Sequence, residues 1–385
     1  MSISDYVKKV VTSESIFNDM FSIAGELKKK YGANNICDFS IGNPDLPPPK
    51  QFKEALKKVV EEQEDFKYSP FAGIPEVKNK VAEIVSKQQG VEVPGDNVFV
   101  TCGAEHAINV MVKVYSNYQD EVILSTPFYP YYEDTLLIHN VKPVVVKCKD
   151  DLDLDVDGIE KAITDRTKLI IINSPNNPSG RIYPEETLRK LAEIIKNKDI
   201  VVISDEVYRD LNYGKKIPDS FKIFDNSVVI SSTSKGMSCP TARFGYIVLN
   251  PKLKDLEIAK KATNLVNVIS IIEPPIVEQK ASAMALGYTS DLEKYKIKMD
   301  KLLKILREIG YEVGDVEGAF YLFPKTPIKD DVRFCKDILV KYNIICTPGT
   351  PFGSPGHMRI SCCCDDNTIE RCKQGFKNAF EEAKK

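Results

Sequence analysis

The sequence predicts an α/β fold: a large domain on a mostly parallel seven-stranded sheet covered by helices on both faces, plus a smaller α+β domain. Two observations predict it. Short β-branched runs alternate with longer amphipathic segments. Several of those runs, such as Leu169-Ile-Ile-Ile172 and Ile200-Val-Val-Ile203, are apolar at every position, as suits strands buried on both faces. A chain of 385 residues has ample length for a large core and for more than one domain.

Taken in order, the candidate strands span 97–101, 121–125, 142–146, 168–173, 200–204, 227–231 and 244–249. Helices are expected between them at 104–114, 129–138 and 184–196. The Pro47-Pro48-Pro49 run breaks the chain near the start of this region. The pattern changes after about residue 285. Ser290 with Glu293 reads as a capping box opening a long helix to about residue 309. A strand at 318–323, a helix at 331–342, strands at 344–347 and 357–363 and a helix at 367–383 complete the smaller unit. The expected division is an N-terminal arm with part of the small domain at 1–40, a large domain at 41–285 and a small C-terminal domain at 286–385.

Composition excludes several classes. The chain is 43% hydrophobic and 28% charged, as in ordinary globular proteins, which rules out disorder, collagen and a disulfide miniprotein. A net charge of −2 gives no gross electrostatic reason to seek nucleic acid or anionic lipid. No secretory h-region and no membrane-length apolar run is visible. The ten cysteines are scattered, without a Cys-x-x-Cys pair, and the three histidines lie far apart. That argues against a zinc site and for reduced thiols in a cytoplasmic protein.

Other motifs fail. Asp153-Leu-Asp155-Val-Asp157-Gly158 starts like a calcium loop, but Thr164 stands where a bidentate Glu is required. No Gly-x-Gly-x-x-Gly, no Gly-x-x-x-x-Gly-Lys loop and no Gly-x-Ser-x-Gly elbow is present.

Four segments fall at predicted strand ends, where open α/β sheets bind ligands. They are Thr101-Cys-Gly-Ala-Glu-His-Ala107, Asn173-Ser-Pro-Asn-Asn-Pro-Ser-Gly180, Ser204-Asp-Glu-Val-Tyr208 and Ser231-Ser-Thr-Ser-Lys235 continuing to Arg243. Outer matches are Gly42-Asn-Pro-Asp45, Lys67-Tyr68, Glu317-Gly-Ala-Phe-Tyr321 and Met358-Arg359-Ile-Ser361. In order and spacing the set resembles the class I/II aminotransferases of fold type I, which depend on pyridoxal 5′-phosphate. The resemblance runs from about Asp38 to the C-terminus.

That resemblance implies a transaminase acting on an amino acid and a 2-oxo acid, working as a homodimer with shared active sites. Lys235 matches the lysine that forms a Schiff base with the cofactor and then moves the substrate proton; by itself it reads as any surface lysine would. Asp205 matches the partner of the pyridine nitrogen, whose protonated form an adjacent anion favours; read alone it also suits a helix N-cap. Asn177 and Tyr208 match donors to the phenolic oxygen, although Asn177-Pro-Ser-Gly180 is equally a turn sequence. Gly103, Ala104 and Glu105 offer backbone amides to the phosphate at a strand–helix junction, with Ser232, Ser234 and Arg243 adding side-chain donors. Tyr68 matches a tyrosine reaching the phosphate from the neighbouring subunit, with packing as its plain alternative. Tyr129 matches the aromatic stacked on the ring, with Phe128 as the fallback. Arg359 and Gly42, with Asn177, match the groups around the substrate carboxylate.

Ser174, Ser179 and the Pro240-Thr-Ala run depart from the usual family residues without touching the expected chemistry. Glu105 is more consequential. Some prokaryotic aspartate aminotransferases carry a lysine there that reads the side-chain carboxylate, which Glu105 would repel, so an aspartate preference does not carry over. A carbon–sulfur β-lyase using the same lysine, aspartate and arginine is the alternative activity, and a non-catalytic binding protein is disfavoured by the intact Lys235 and Asp205.

Overall fold

The apolar runs become strands of one large sheet in the computed structural model, which describes residues 3, 8, 16–64, 67–271 and 273–385. Of the expected N-terminal arm and part of the small domain at 1–40, residues 1, 2, 4–7 and 9–15 lie outside the described residues. The strands are β1 (Cys37–Asp38), β2 (Val98–Thr101), β3 (Glu121–Ser125), β4 (Lys142–Val146), β5 (Thr167–Asn173) and β6 (Val201–Asp205). They continue as β7 (Ser227–Ser232), β8 (Gly245–Leu249), β9 (Tyr321–Leu322), β10 (Ile344–Ile345), β11 (Thr347–Pro348) and β12 (Met358–Ser361).

Seven of these form the sheet β2-β8-β7-β6-β5-β3-β4. Its pairings are parallel from β7 to β4, while β8 runs antiparallel to both neighbours. Alternate residues of each strand face opposite sides. Val122, Leu124, Leu169, Ile171, Val201 and Ile203 pack beneath the helix Ala104–Tyr115. Ile123, Ile170, Ile172 and Val202 pack on the other face beneath the helix Glu185–Ile195. Both faces are therefore covered, which is why the runs are apolar throughout.

Because β2 and β7 flank the reversed β8, their carboxyl ends emerge at the same edge. Gly245 pairs with Thr101 on one side and Ser232 on the other. A side chain at 245 would lie 2.5 Å from the Gly103 carbonyl carbon, so only glycine lets these ends close up. Next to them Asn173 pairs with Asp205 at the ends of β5 and β6. All four expected segments thus meet on one edge.

A second core joins the helices Glu293–Ile309, Asp331–Tyr342 and Asp366–Ala383 through Leu302, Leu306, Ile338, Leu339, Phe376 and Phe380. It is completed by the sheet β11-β12-β9 and by β1 paired in parallel with β10. Phe39, fully buried here, brings the following segment toward the edge of the large sheet.

The capping box at Ser290 does not form: Leu292 is the N-cap, without a side-chain bond, and the Ser290 hydroxyl contacts the Gly236 carbonyl and Ser238 instead. Tertiary partners outcompete the local cap. The expected strand 344–347 breaks into β10 and β11, which join different sheets. The strands expected at 318–323 and 357–363 shorten to β9 and β12. No helix among the described residues is long and apolar enough to cross a membrane.

Candidate active site

A cavity of about 600 Å³ opens at the carboxyl edge of the large sheet, against β9 and β12. Lys235, Asp205, Tyr208, Asn177, Ala104, Glu105, Tyr129, Ser232, Ser234, Arg243, Gly42 and Arg359 all line it. Gly103 lies directly behind, where a side chain would meet the Arg243 guanidinium at 2.5 Å. Tyr68 is not brought in; it is 85% exposed and borders a separate hollow. Of the two candidate aromatics, Tyr129 lines the cavity and Phe128 is buried in the core.

Asp205 is the deepest charge. It ends β6, is 4% exposed, and accepts hydrogen bonds from Tyr132 Oη at 2.5 Å and the Val207 N–H at 3.2 Å. Among the described residues no cation pairs with it. Burial pushes its carboxyl up to about 6, against the pull of those two donors. A carboxylate held this way is short of a positive charge.

Lys235 follows β7. Its ammonium donates to the Gly42 carbonyl at 2.8 Å and lies over the rings of Tyr208 and Phe320. Burial pulls it down to about 8, bringing the neutral amine within reach of ordinary pH. An amine of this kind is both a usable nucleophile and a usable base.

Arg359, on β12, is only 8% exposed. It donates to Asn177 Oδ1 at 3.0 Å and to the Ser40 carbonyl at 2.6 Å, but among the described residues Nε has no partner. Its guanidinium sits 4.9 Å from the ring centres of both Tyr321 and Phe352. A buried guanidinium without a carboxylate is costly, and its fork suits one supplied from outside.

A polar cradle occupies the end formed by β2, β7 and β8. Gly103, with φ 85°, caps the helix Ala104–Tyr115, so the first amides of that helix are unpaired within it. Arg243, itself left-handed at φ 50°, is fixed by the carbonyls of Pro240 and Cys102. Ser232 and Ser234 face the same space. This end can take an anion.

Three contributors were not singled out from the sequence. Tyr132 holds Asp205, Tyr321 holds Tyr208 through their hydroxyls at 3.0 Å, and Asn173 receives the Asn177 N–H at 2.7 Å. Tyr132 lies in the aromatic run at 126–132 and Tyr321 ends Glu317-Gly-Ala-Phe-Tyr321, but only the fold shows what they touch. Tyr208 is fully enclosed, and burial raises its hydroxyl well above the ordinary range. It therefore stays a donor. Among the described residues no His/Cys/Asp/Glu group could hold a metal ion.

The arrangement fits a flat group with an anionic tail, a basic ring nitrogen and a carbonyl for the lysine, beside a carboxylate-bearing substrate. Comparison with known proteins points the same way. A profile of the family "Aminotransferase class I and II" matches residues 34–375. The aspartate aminotransferase of Bacillus subtilis is 30% identical over 372 residues, covering 92% of this chain and 93% of that protein. A probable aspartate aminotransferase of Methanocaldococcus jannaschii is 29% identical, covering 90% and 94%. An amino transferase structure from Eubacterium rectale superposes with a TM-score of 0.95 at 29% identity over the whole of both chains. The aspartate aminotransferase structure from Thermotoga maritima gives 0.90 at 26% identity, over 98% and 99%. These likenesses favour transfer over the β-lyase alternative.

Two predictions come from this geometry. A β-carbon on Gly42 would lie 1.9 Å from Tyr321 Oη. Gly42→Ala should therefore separate Tyr321 from Tyr208 and cost roughly 1–3 kcal/mol, read as a lower Tm and a displaced Tyr321 in a crystal structure. Because its carboxyl is raised, ionising Asp205 destabilises the cofactor-free fold as pH climbs from about 4 to about 6. Cofactor-free Asp205→Asn should match the unaltered chain near pH 4 and melt a few degrees higher at pH 8, as thermal scans at the two pH values would show.

Proposed function

The chain belongs to the class I and II aminotransferases, enzymes that move an amino group from an amino acid to a 2-oxo acid, and from that premise we propose that its cavity holds pyridoxal 5′-phosphate covalently through Lys235. The observation that carries the proposal is a cluster of three charges around one space, Asp205, Lys235 and Arg359, none of them ion-paired among the described residues. Each lacks what the cofactor or the substrate would bring: a cationic ring nitrogen, a carbonyl carbon and a carboxylate.

The cofactor supplies a conjugated ring that takes up the electron pair left at the substrate Cα. Asp205 would keep the ring nitrogen protonated, with Tyr132 holding the carboxylate in place. Tyr208 and Asn177 would donate to the phenolic oxygen. The amides of Ala104 and Glu105, the hydroxyls of Ser232 and Ser234 and the Arg243 guanidinium would bind the phosphate. Tyr129 would lie against the ring. Arg359 would hold the α-carboxylate of the amino acid, with Gly42 leaving room for it. Lys235, as a neutral amine beside the substrate, would accept the proton from Cα and hold it as the ammonium.

The rim bears on the donor. Lys235, Arg243 and Arg359 are the basic side chains lining the cavity, and each already has a task. Glu105, bonded by the Tyr129 hydroxyl at 3.4 Å, adds negative charge instead. This disfavours a donor with an acidic side chain, although the relatives above are named for aspartate.

A homodimer fits the surface. Tyr68 and Phe71 are exposed, as are Ile258, Leu265 and Ile269 on the helix Leu256–Ser270. The family resemblance would have Tyr68 reach the phosphate end of the neighbouring cavity from a second copy that covers these residues. The ten unpaired cysteines suit the reducing cytoplasm. The expected division at residues 40 and 285 puts the carboxylate clamp Arg359 and the lysine Lys235 on separate units.

Borohydride reduction of the loaded enzyme followed by peptide mapping should place the label on Lys235, and Lys235→Ala should lower turnover by at least about 10²–10⁴-fold. A label on another lysine would overturn the assignment. Glu105→Lys should raise kcat/KM for aspartate relative to a neutral amino acid by about tenfold, measured in parallel steady-state assays.

A further inference from the structure

The strand of chain between β1 and the Pro47-Pro48-Pro49 run crosses the cavity, and its anchorage is unusual. At one end Phe39 is buried in the small core, and its backbone bonds Ile345 and Ser361. In the middle the Ser40 carbonyl accepts from Arg359 and the Gly42 carbonyl accepts from Lys235. At the other end Tyr295 Oη accepts the N–H groups of Asp45 at 3.0 Å and Leu46 at 3.4 Å, and Lys298 Nζ bonds Asp45 Oδ2 at 2.7 Å.

Tyr295 and Lys298 lie three residues apart in the helix Glu293–Ile309 and so project from one face. Tyr295 is fully buried and Lys298 is 7% exposed. Neither they nor Asp45 line the cavity. An ammonium sunk this far is a poor choice for stability alone, since an apolar residue of similar size serves as well or better. What the pair does hold is a backbone segment whose carbonyls touch two of the site's cations, Lys235 and Arg359.

We propose that Asp45, Tyr295 and Lys298 form a latch that fixes the 40–46 segment across the cavity and thereby positions Lys235 and Arg359. The latch acts through backbone: Tyr295 and Lys298 set the far end of the segment, the segment sets two carbonyl oxygens, and those oxygens aim the two side chains. The part concerning Arg359 rests on the carboxylate role proposed above; the part concerning Lys235 does not.

The test uses Lys298→Met and Asp45→Asn in the full chain, with Lys298→Arg as the conservative control. In the cofactor-free protein, the pH dependence of Lys235 acetylation by acetic anhydride, read by peptide mapping, reports its ammonium directly. Asp205, Glu105, Cys363 and Arg359 are the charged or titratable groups acting on it, together with the rings of Tyr208 and Phe320. Loss of the Gly42 acceptor disfavours the charged form, so the midpoint should fall by about one pH unit in both latch variants and return in Lys298→Arg. In the loaded enzyme KM for the amino acid should rise about tenfold while kcat changes less. A lower Tm with an unmoved midpoint in both variants would overturn the latch and leave a purely structural ion pair. A moved midpoint with an unchanged KM keeps the latch's hold on Lys235 and overturns its hold on Arg359. If Lys298→Met does not fold, Asp45→Asn carries the test, because its side chain is partly exposed and the change preserves shape.

Discussion

Uncompensated charge in an enclosed space governs this molecule. Asp205 and Arg359 are buried and Lys235 half-buried around one cavity, and among the described residues each is met by dipoles but not by an opposite charge. Dipoles lower the cost of burial without cancelling it. The remainder appears as the raised Asp205 carboxyl and the lowered Lys235 ammonium. Such a site is unfavourable when empty and favourable when filled by a ligand of the right charge pattern, and that difference is what makes it selective.

The sheet makes the concentration of charge possible. Its parallel strands deliver their carboxyl ends to one edge, and the reversal of β8 brings the β2 end to the same place. Contributions then arrive from segments far apart in sequence, from Gly42 to Arg359. The aromatic surround of Tyr129, Tyr208, Tyr321 and Phe352 limits the water that would otherwise screen these charges.

Much of this was legible from residues alone. The large-sheet strands stand out because burial on both faces leaves a continuous apolar signature, as in Leu169-Ile-Ile-Ile172. The expected bounds of β3 and β4 coincide with the observed strands. The strands around the second core are only two to four residues long, and β1–β10 and β9–β12 pair across long stretches of chain, so the sequence shows them as longer runs. Ser290 misled because its hydroxyl finds Gly236 and Ser238, contacts that no local pattern encodes. The same reasoning covers the site. Of the residues expected around the cavity, Gly103 lies behind its wall and Tyr68 on the surface while the others line it, whereas Tyr132 and Tyr321 act through hydroxyl contacts with Asp205 and Tyr208 that only folding creates. The Asp45–Lys298 pair spans 253 positions and follows no periodicity at all.

The missing side chain at Gly245 has a thermodynamic corollary. The cradle formed by Gly103, Ser232 and Arg243 is not a loop laid on the sheet but the place where β2 and β7 end on either side of the start of β8. Occupancy there and cooperative melting of the sheet are consequently linked equilibria. An anion at a hundredfold excess over its Kd would deepen the folded well by about 2.7 kcal/mol. Filling the cradle thus braces the scaffold that presents it.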